Sequence, residues 1–182
     1  MIGIDMKKKQ PQESAEVHSS PFREDEWPEE IDGIRLIARP DIVAGPEDWP
    51  PVWFAFAQHR WYSMVLVPAH AGVSVLAVSR ALANAGRAYD EPSLGLIEAE
   101  RVAPARVQGI VNDLRSRGTL EQRTIVAVAS PLEDNSAVPI IRGCDVAVLV
   151  VPLGETSLED ARRTMAVVGR GSFLGAITVS AH

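Results

Sequence analysis

Leu66 to Ala85 reads LVPAHAGVSVLAVSRALANA, an apolar strand that passes through a turn of small residues into a helix. Strand, small-residue turn and helix in that order are the layout of a phosphate-binding loop, in which backbone N–H groups at a helix start face an anion. Such a loop also needs a lysine, and none is within reach. The three lysines, Lys7, Lys8 and Lys9, all lie in the first ten residues, so no realignment of the later chain supplies one.

The pattern around this stretch alternates. SMVLVP (63–68), SLGLIEAE (93–100), RTIVAVAS (123–130), CDVAVLVVPL (144–153) and FLGAITVS (173–180) are strand candidates, apolar and short enough to be covered on both faces. Between them, helices are expected over 52–61, over 73–85 with Gly86 as a C-terminal cap, and over 107–118 closing at Gly118. A last helix opens at Ser157 with Asp160 three positions on, a capping box, and runs to Val168 before Gly169 and Gly171. The acidic turn from Glu133 to Pro139 gives no element of its own. Strands alternating with helices imply parallel strands, right-handed crossovers and a three-layer α/β sandwich.

Residues 1–50 differ. They are rich in Pro, Glu, Asp and Ser, and periodicity is absent until IRLIA, so a flexible arm over 1–50 and an α/β domain over 51–182 are expected. Pro46, Pro50 and Pro51 mark the boundary. Eight of the ten aromatics fall between Phe22 and Tyr62, more than a solvated arm can use. They either staple the arm across the domain's own core or, through Trp27, Trp49 and Trp53, form an anchor for a partner protein.

Charge and composition exclude several classes. A net charge of −6 with fifteen scattered arginines does not build the basic face that nucleic acid requires. Cys144 is the single cysteine, which excludes an intramolecular disulfide and fits a buried inert thiol. The start MIGIDMKKKQPQES has no apolar stretch of signal-peptide length and no later run reaches the length of a membrane span, so a cytoplasmic location is expected.

Over residues 53–181 the order of segments resembles the deviant Walker ATPases: the cytoplasmic tyrosine kinase domains of bacterial capsule and exopolysaccharide assembly, related to MinD and ParA proteins. VLVPAHAGVSVLAVSRALANAGR (65–87) looks like the family's first strand, phosphate loop and Ala-rich helix. GLIEAERVAP (95–104) with VQGIVNDL (107–114) looks like its second acidic motif and the helix after it. IVAVASPL (125–132) with CDVAVLVVPLGETSLEDARRTM (144–165) looks like its Walker B strand and turn, then the next strand and helix. The departures bear on function. The loop keeps His70, Gly72 and Ser74 among Ala69, Ala71 and Val73, but Val73 and Val75 stand where Gly, Lys and Ser or Thr are expected. Ala129 stands where the Walker B aspartate belongs, and Glu98 and Glu100 replace the acidic motif's aspartates.

Loss of several groups that steady a phosphoryl transition state, at on the order of 3 kcal/mol each, makes hydrolysis untenable. The resemblance therefore implies a pseudo-ATPase with no catalytic residue, metal or cofactor. It would be a scaffold or regulator of exopolysaccharide assembly that docks on the cytoplasmic end of a membrane polysaccharide co-polymerase. Helices of this family also pack between subunits, so a homo-oligomer is a further expectation. The alternative from another class is a small-ligand binder or enzyme that uses the loop at 69–74 for an anion other than ATP. His70 reads as a loop-tip residue, and Glu98 and Glu100 as salt-bridge partners on a solvated edge.

Overall fold

A computed structural model describes residues 30–31, 34–38, 49–89, 91–119 and 122–180. Its strands are β1 (Glu30–Ile31), β2 (Ile34–Ala38), β3 (Ser63–Pro68), β4 (Gly95–Ala99), β5 (Thr124–Val128), β6 (Val146–Leu153) and β7 (Phe173–Ser180). The helices are α1 (Trp49–Ala57), α2 (Leu76–Tyr89), α3 (Pro104–Thr119), α4 (Ala137–Gly143) and α5 (Leu158–Val168). Sheet order is β1-β2-β7-β6-β3-β5-β4. The five strands β4, β5, β3, β6 and β7 are all parallel, β2 joins β7 in parallel, and β1 turns back antiparallel on β2.

Side-chain alternation along the central strands builds the three layers. Met64 and Leu66 of β3 and Ile125 and Ala127 of β5 pack with Val52, Trp53 and Phe56 of α1 and Leu82 of α2. Val65, Val67, Val126 and Val128 point the other way, onto Val107 and Leu114 of α3 and Ile140 and Ile141 of α4. On that second face Leu149, Val151 and Ala176 meet Ala161 and Met165 of α5. Every residue of β3 and β5 is buried, as a parallel sheet covered on both faces demands. The expected mostly parallel α/β sandwich is the fold observed.

Several local expectations need correction. The arm expected over 1–50 contains Glu30–Ile31 and Ile34–Ala38, which pair at the sheet edge, and α1 begins at Trp49 rather than 52 and ends at Ala57. Trp53 is fully buried and Trp49 is 8% exposed, so neither is free to anchor a partner. Trp53 instead stands edge-on to Trp61 at 6.0 Å between ring centroids. Trp27 lies outside the described residues.

Gly86 does not cap α2 but sits inside it. A Cβ there would come within 2.5 Å of Leu94 Cδ2 and 2.9 Å of Trp53 Cζ3, so close packing selects the glycine. The acidic turn gives way to α4 from Ala137, and α3 starts three residues earlier than expected, with Pro104 at its first position. Ser157 caps α5 as its spacing predicts: its Oγ accepts from Asp160 N at 3.1 Å. No helix among the described residues is long and apolar enough to cross a membrane.

Candidate functional site

Because β3, β4 and β5 run parallel, the turns after them gather at one edge of the sheet, where open α/β sheets bind ligands. The turn after β3 is the stretch whose sequence reads as a phosphate-type loop. Ala69 is held from both sides, its N–H donating to Val150 O at 2.9 Å and its carbonyl accepting from Thr164 Oγ1 of α5 at 2.9 Å. His70 is half-buried, with Nδ1 2.9 Å from Thr156 Oγ1 in the turn after β6, and so serves to position the loop. Ala71 and Gly72 are exposed, and Gly72 takes a φ of +81°, which an L side chain adopts at a cost.

The loop leads straight into α2, whose first amides need acceptors. They find one in Glu100, in the turn after β4. Glu100 Oε1 accepts from Val75 N at 2.7 Å and Leu76 N at 3.0 Å, and both its oxygens lie 2.8 Å from Ser74 Oγ. This is an N-cap supplied from another part of the chain, with a full negative charge at the positive end of the helix. Gly72 N donates to Glu133 Oε2 at 2.9 Å, a second carboxylate brought in by the turn after β5.

Glu98, at the other acidic position, takes no part in the loop. It pairs with Arg80 of α2 at 2.6 Å, both side chains half exposed, so this contact adds little to stability.

Beside the loop lies a cleft of about 290 Å³. Gly72, Val73 and Ser74 line it from the loop, and Ala129 lines it from the end of β5. Glu100, Glu133, Asp134 and Arg101 complete the lining, three carboxylates to one guanidinium. A phosphate charge brought within about 4 Å of one such carboxylate meets on the order of 4 kcal/mol of repulsion near a protein surface. A helix start returns only about 1 kcal/mol. With Glu100 on the amides that a phosphate would take, this repulsion exceeds what the helix start returns, while the charge of Arg101 is set against those of Glu133 and Asp134. Among the described residues no group of three or more His, Cys, Asp or Glu is placed to hold a metal ion.

Ser74, Glu100 and Gly72 thus meet in one site, whereas Glu98 is diverted to Arg80. Sequence reasoning missed Glu133, Asp134 and Arg101 as lining residues. Their shared signal is position, each lying just beyond the carboxyl end of a strand.

At the opposite edge of the sheet, Asp145 Oδ2 accepts from Tyr62 N and Ser63 N, both at 2.8 Å, and from Ser63 Oγ at 3.0 Å. This clamp ties the start of β3 to the start of β6. Burial and the neighbouring Asp145 charge push the Cys144 thiol up to about 12, although a hydrogen bond with Ser63 opposes them. Cys144 is only partly buried, short of the fully buried thiol expected from the sequence.

No family model and no curated protein matches the sequence. Solved structures do. The kinase domain of the Escherichia coli tyrosine kinase ETK superimposes with a TM-score of 0.63 at 13% identity, over 74% of this chain and 75% of that one. The chimerical protein CapA2B2 gives a TM-score of 0.55 at 12% identity, over 74% and 83%. At such identities the likeness establishes the fold alone: the chain folds as a P-loop NTPase-like α/β domain, of the kind seen in a bacterial tyrosine kinase.

Proposed function

We propose that this chain is a non-catalytic P-loop-fold protein, a scaffold or regulator in exopolysaccharide or capsule biosynthesis and export. The observation that carries the non-catalytic half is the Glu100 carboxylate on Val75 N, Leu76 N and Ser74 Oγ, in a loop that has no lysine. A γ-phosphate there would meet negative charge where a phosphoryl-transferring site places a cation and a magnesium ion. Ala129 adds no carboxylate to hold that ion.

The pathway half is supported by the resemblance of residues 53–181 to capsule tyrosine kinases and by the fold shared with the ETK kinase domain. In this reading the α/β core acts by docking on the cytoplasmic end of a membrane polysaccharide co-polymerase, as a peripheral cytoplasmic protein. The burial of Trp49 and Trp53 removes them from the docking surface and leaves Trp27, with the rest of the first 29 residues, as the arm to be tested.

Isothermal titration with ATP and magnesium tests the first half: no heat and no phosphate release are expected, and micromolar binding with turnover would sink it. Pull-down from native membranes tests the second. Loss of residues 1–29 should abolish capture of a polysaccharide export protein, and unchanged capture counts against docking through the arm. The reading as a small-anion binder finds less support, because Gly72, Val75 and Leu76 already donate to carboxylates of the chain itself.

A further inference from the structure

A phosphate-binding loop is ordinarily organised by its anion, whose oxygens collect the first amides of the adjoining helix. Here the collecting group is covalently part of the chain. Glu100 lies 25 residues beyond Val75, yet its carboxylate spans Ser74 Oγ, Val75 N and Leu76 N at 2.7 to 3.0 Å. Glu133, from a different turn, takes Gly72 N. The donors on both sides of Val73 are engaged, although the open cleft beside them has room for a small anion.

From this juxtaposition we infer that Glu100 is an autoinhibitory contact: a tethered anion that occupies the first amides of α2 and shuts them to phosphate. The inference rests on the non-catalytic reading and supplies its device. Tethering matters because a carboxylate held on the adjacent turn competes at an effective concentration of about millimolar or more. A free phosphate would have to displace it against the charges of Glu133 and Asp134, with only Arg101 in its favour. The consequence is conformational. Loops that order only around a phosphate switch when it leaves, whereas a loop closed on its own glutamate presents one fixed surface.

The test is hydrogen exchange of the segment Ser74–Leu76 in the full chain, with and without millimolar inorganic pyrophosphate. It compares the unaltered protein with Glu100→Ala and with Glu100→Gln, which keeps the side-chain volume should the alanine variant fold poorly. In the unaltered protein pyrophosphate should leave exchange unchanged. In Glu100→Ala exchange should rise roughly tenfold, as for a helix start stripped of its cap, and pyrophosphate should restore protection. Glu100→Gln should change in the same direction by less. Unchanged exchange in both variants overturns the proposal. So does a failure of pyrophosphate to protect either variant, or equal protection of the unaltered protein. Since the readout is protection and not turnover, its failure is separate from that of the non-catalytic reading, which ATP turnover by the unaltered chain would refute.

Discussion

The two edges of the sheet use one chemical device for different ends. At the carboxyl edge, Glu100 accepts two backbone amides and the Ser74 hydroxyl; at the amino edge, Asp145 accepts two backbone amides and the Ser63 hydroxyl. Charge-assisted bonds of this type are about twice as strong as neutral ones. Asp145 joins the starts of two central strands, at the edge where α/β sheets rarely bind ligands, and its bonds tie those strands together. Glu100 occupies the edge where they do, and there the same contact also removes an anion site. A carboxylate on amides is therefore neutral or decisive for function according to which end of the strands it closes.

The comparison breaks most readily at the amino edge. Asp145→Ala strips the acceptor from Tyr62 N, Ser63 N and the hydroxyl of Ser63, a residue only 5% exposed, and should cost about 2 kcal/mol in urea denaturation. A loss below about 1 kcal/mol would show that the clamp is decorative. Glu100→Ala should come next, at about 1.5 kcal/mol, since Ser74 Oγ still accepts from Leu76 N at 3.3 Å. The double variant should lose the sum to within about 0.5 kcal/mol, because the two clamps share no partner. A larger discrepancy would mean the edges are coupled through the sheet.

Alkaline pH sharpens the contrast. The Cys144 thiol ionises near 12 in the folded chain against 9.0 for an ordinary thiol, so its neutral form contributes stability in full below pH 9.0. That contribution is lost as pH rises from 9.0 toward 12, because the unfolded chain releases its proton first. Denaturation midpoints measured up that range should fall, and Cys144→Ala should flatten the decline; an equal slope in the variant assigns it elsewhere. Smallest of all, Glu133→Ala frees only the exposed Gly72 N and should shift stability by no more than about 0.5 kcal/mol. A larger effect would place Glu133 beside Glu100 as a determinant of the loop.

The strands were legible because a doubly covered parallel sheet writes itself as short apolar runs. RTIVAVAS and CDVAVLVVPL contain β5 and β6 within a few residues at each end. The helix α4 was not. Asp134, Asn135 and Ser136 carry turn chemistry, and Pro139 looks like a breaker, yet it falls in the first turn, where its missing N–H costs nothing. Gly86 misled for a related reason. Its role is set by Leu94 and Trp53, neighbours in space that no local pattern announces. Ile34–Ala38 showed a strand's composition, but only a partner strand could decide whether it joined the sheet.

By itself, then, the sequence determined the α/β alternation, the strand-to-helix loop at 66–76, the α5 cap and the absence of a loop lysine. Each is a matter of residue type and short-range spacing. Tertiary structure alone decided that Glu100 closes the loop while Glu98 turns to Arg80, that Glu133 reaches Gly72, and that Trp49 and Trp53 are core. Those contacts join residues 18 to 61 positions apart or depend on burial against another layer. Which amide a carboxylate meets is fixed by how parallel strands align their ends, and that alignment exists only once the sheet has formed.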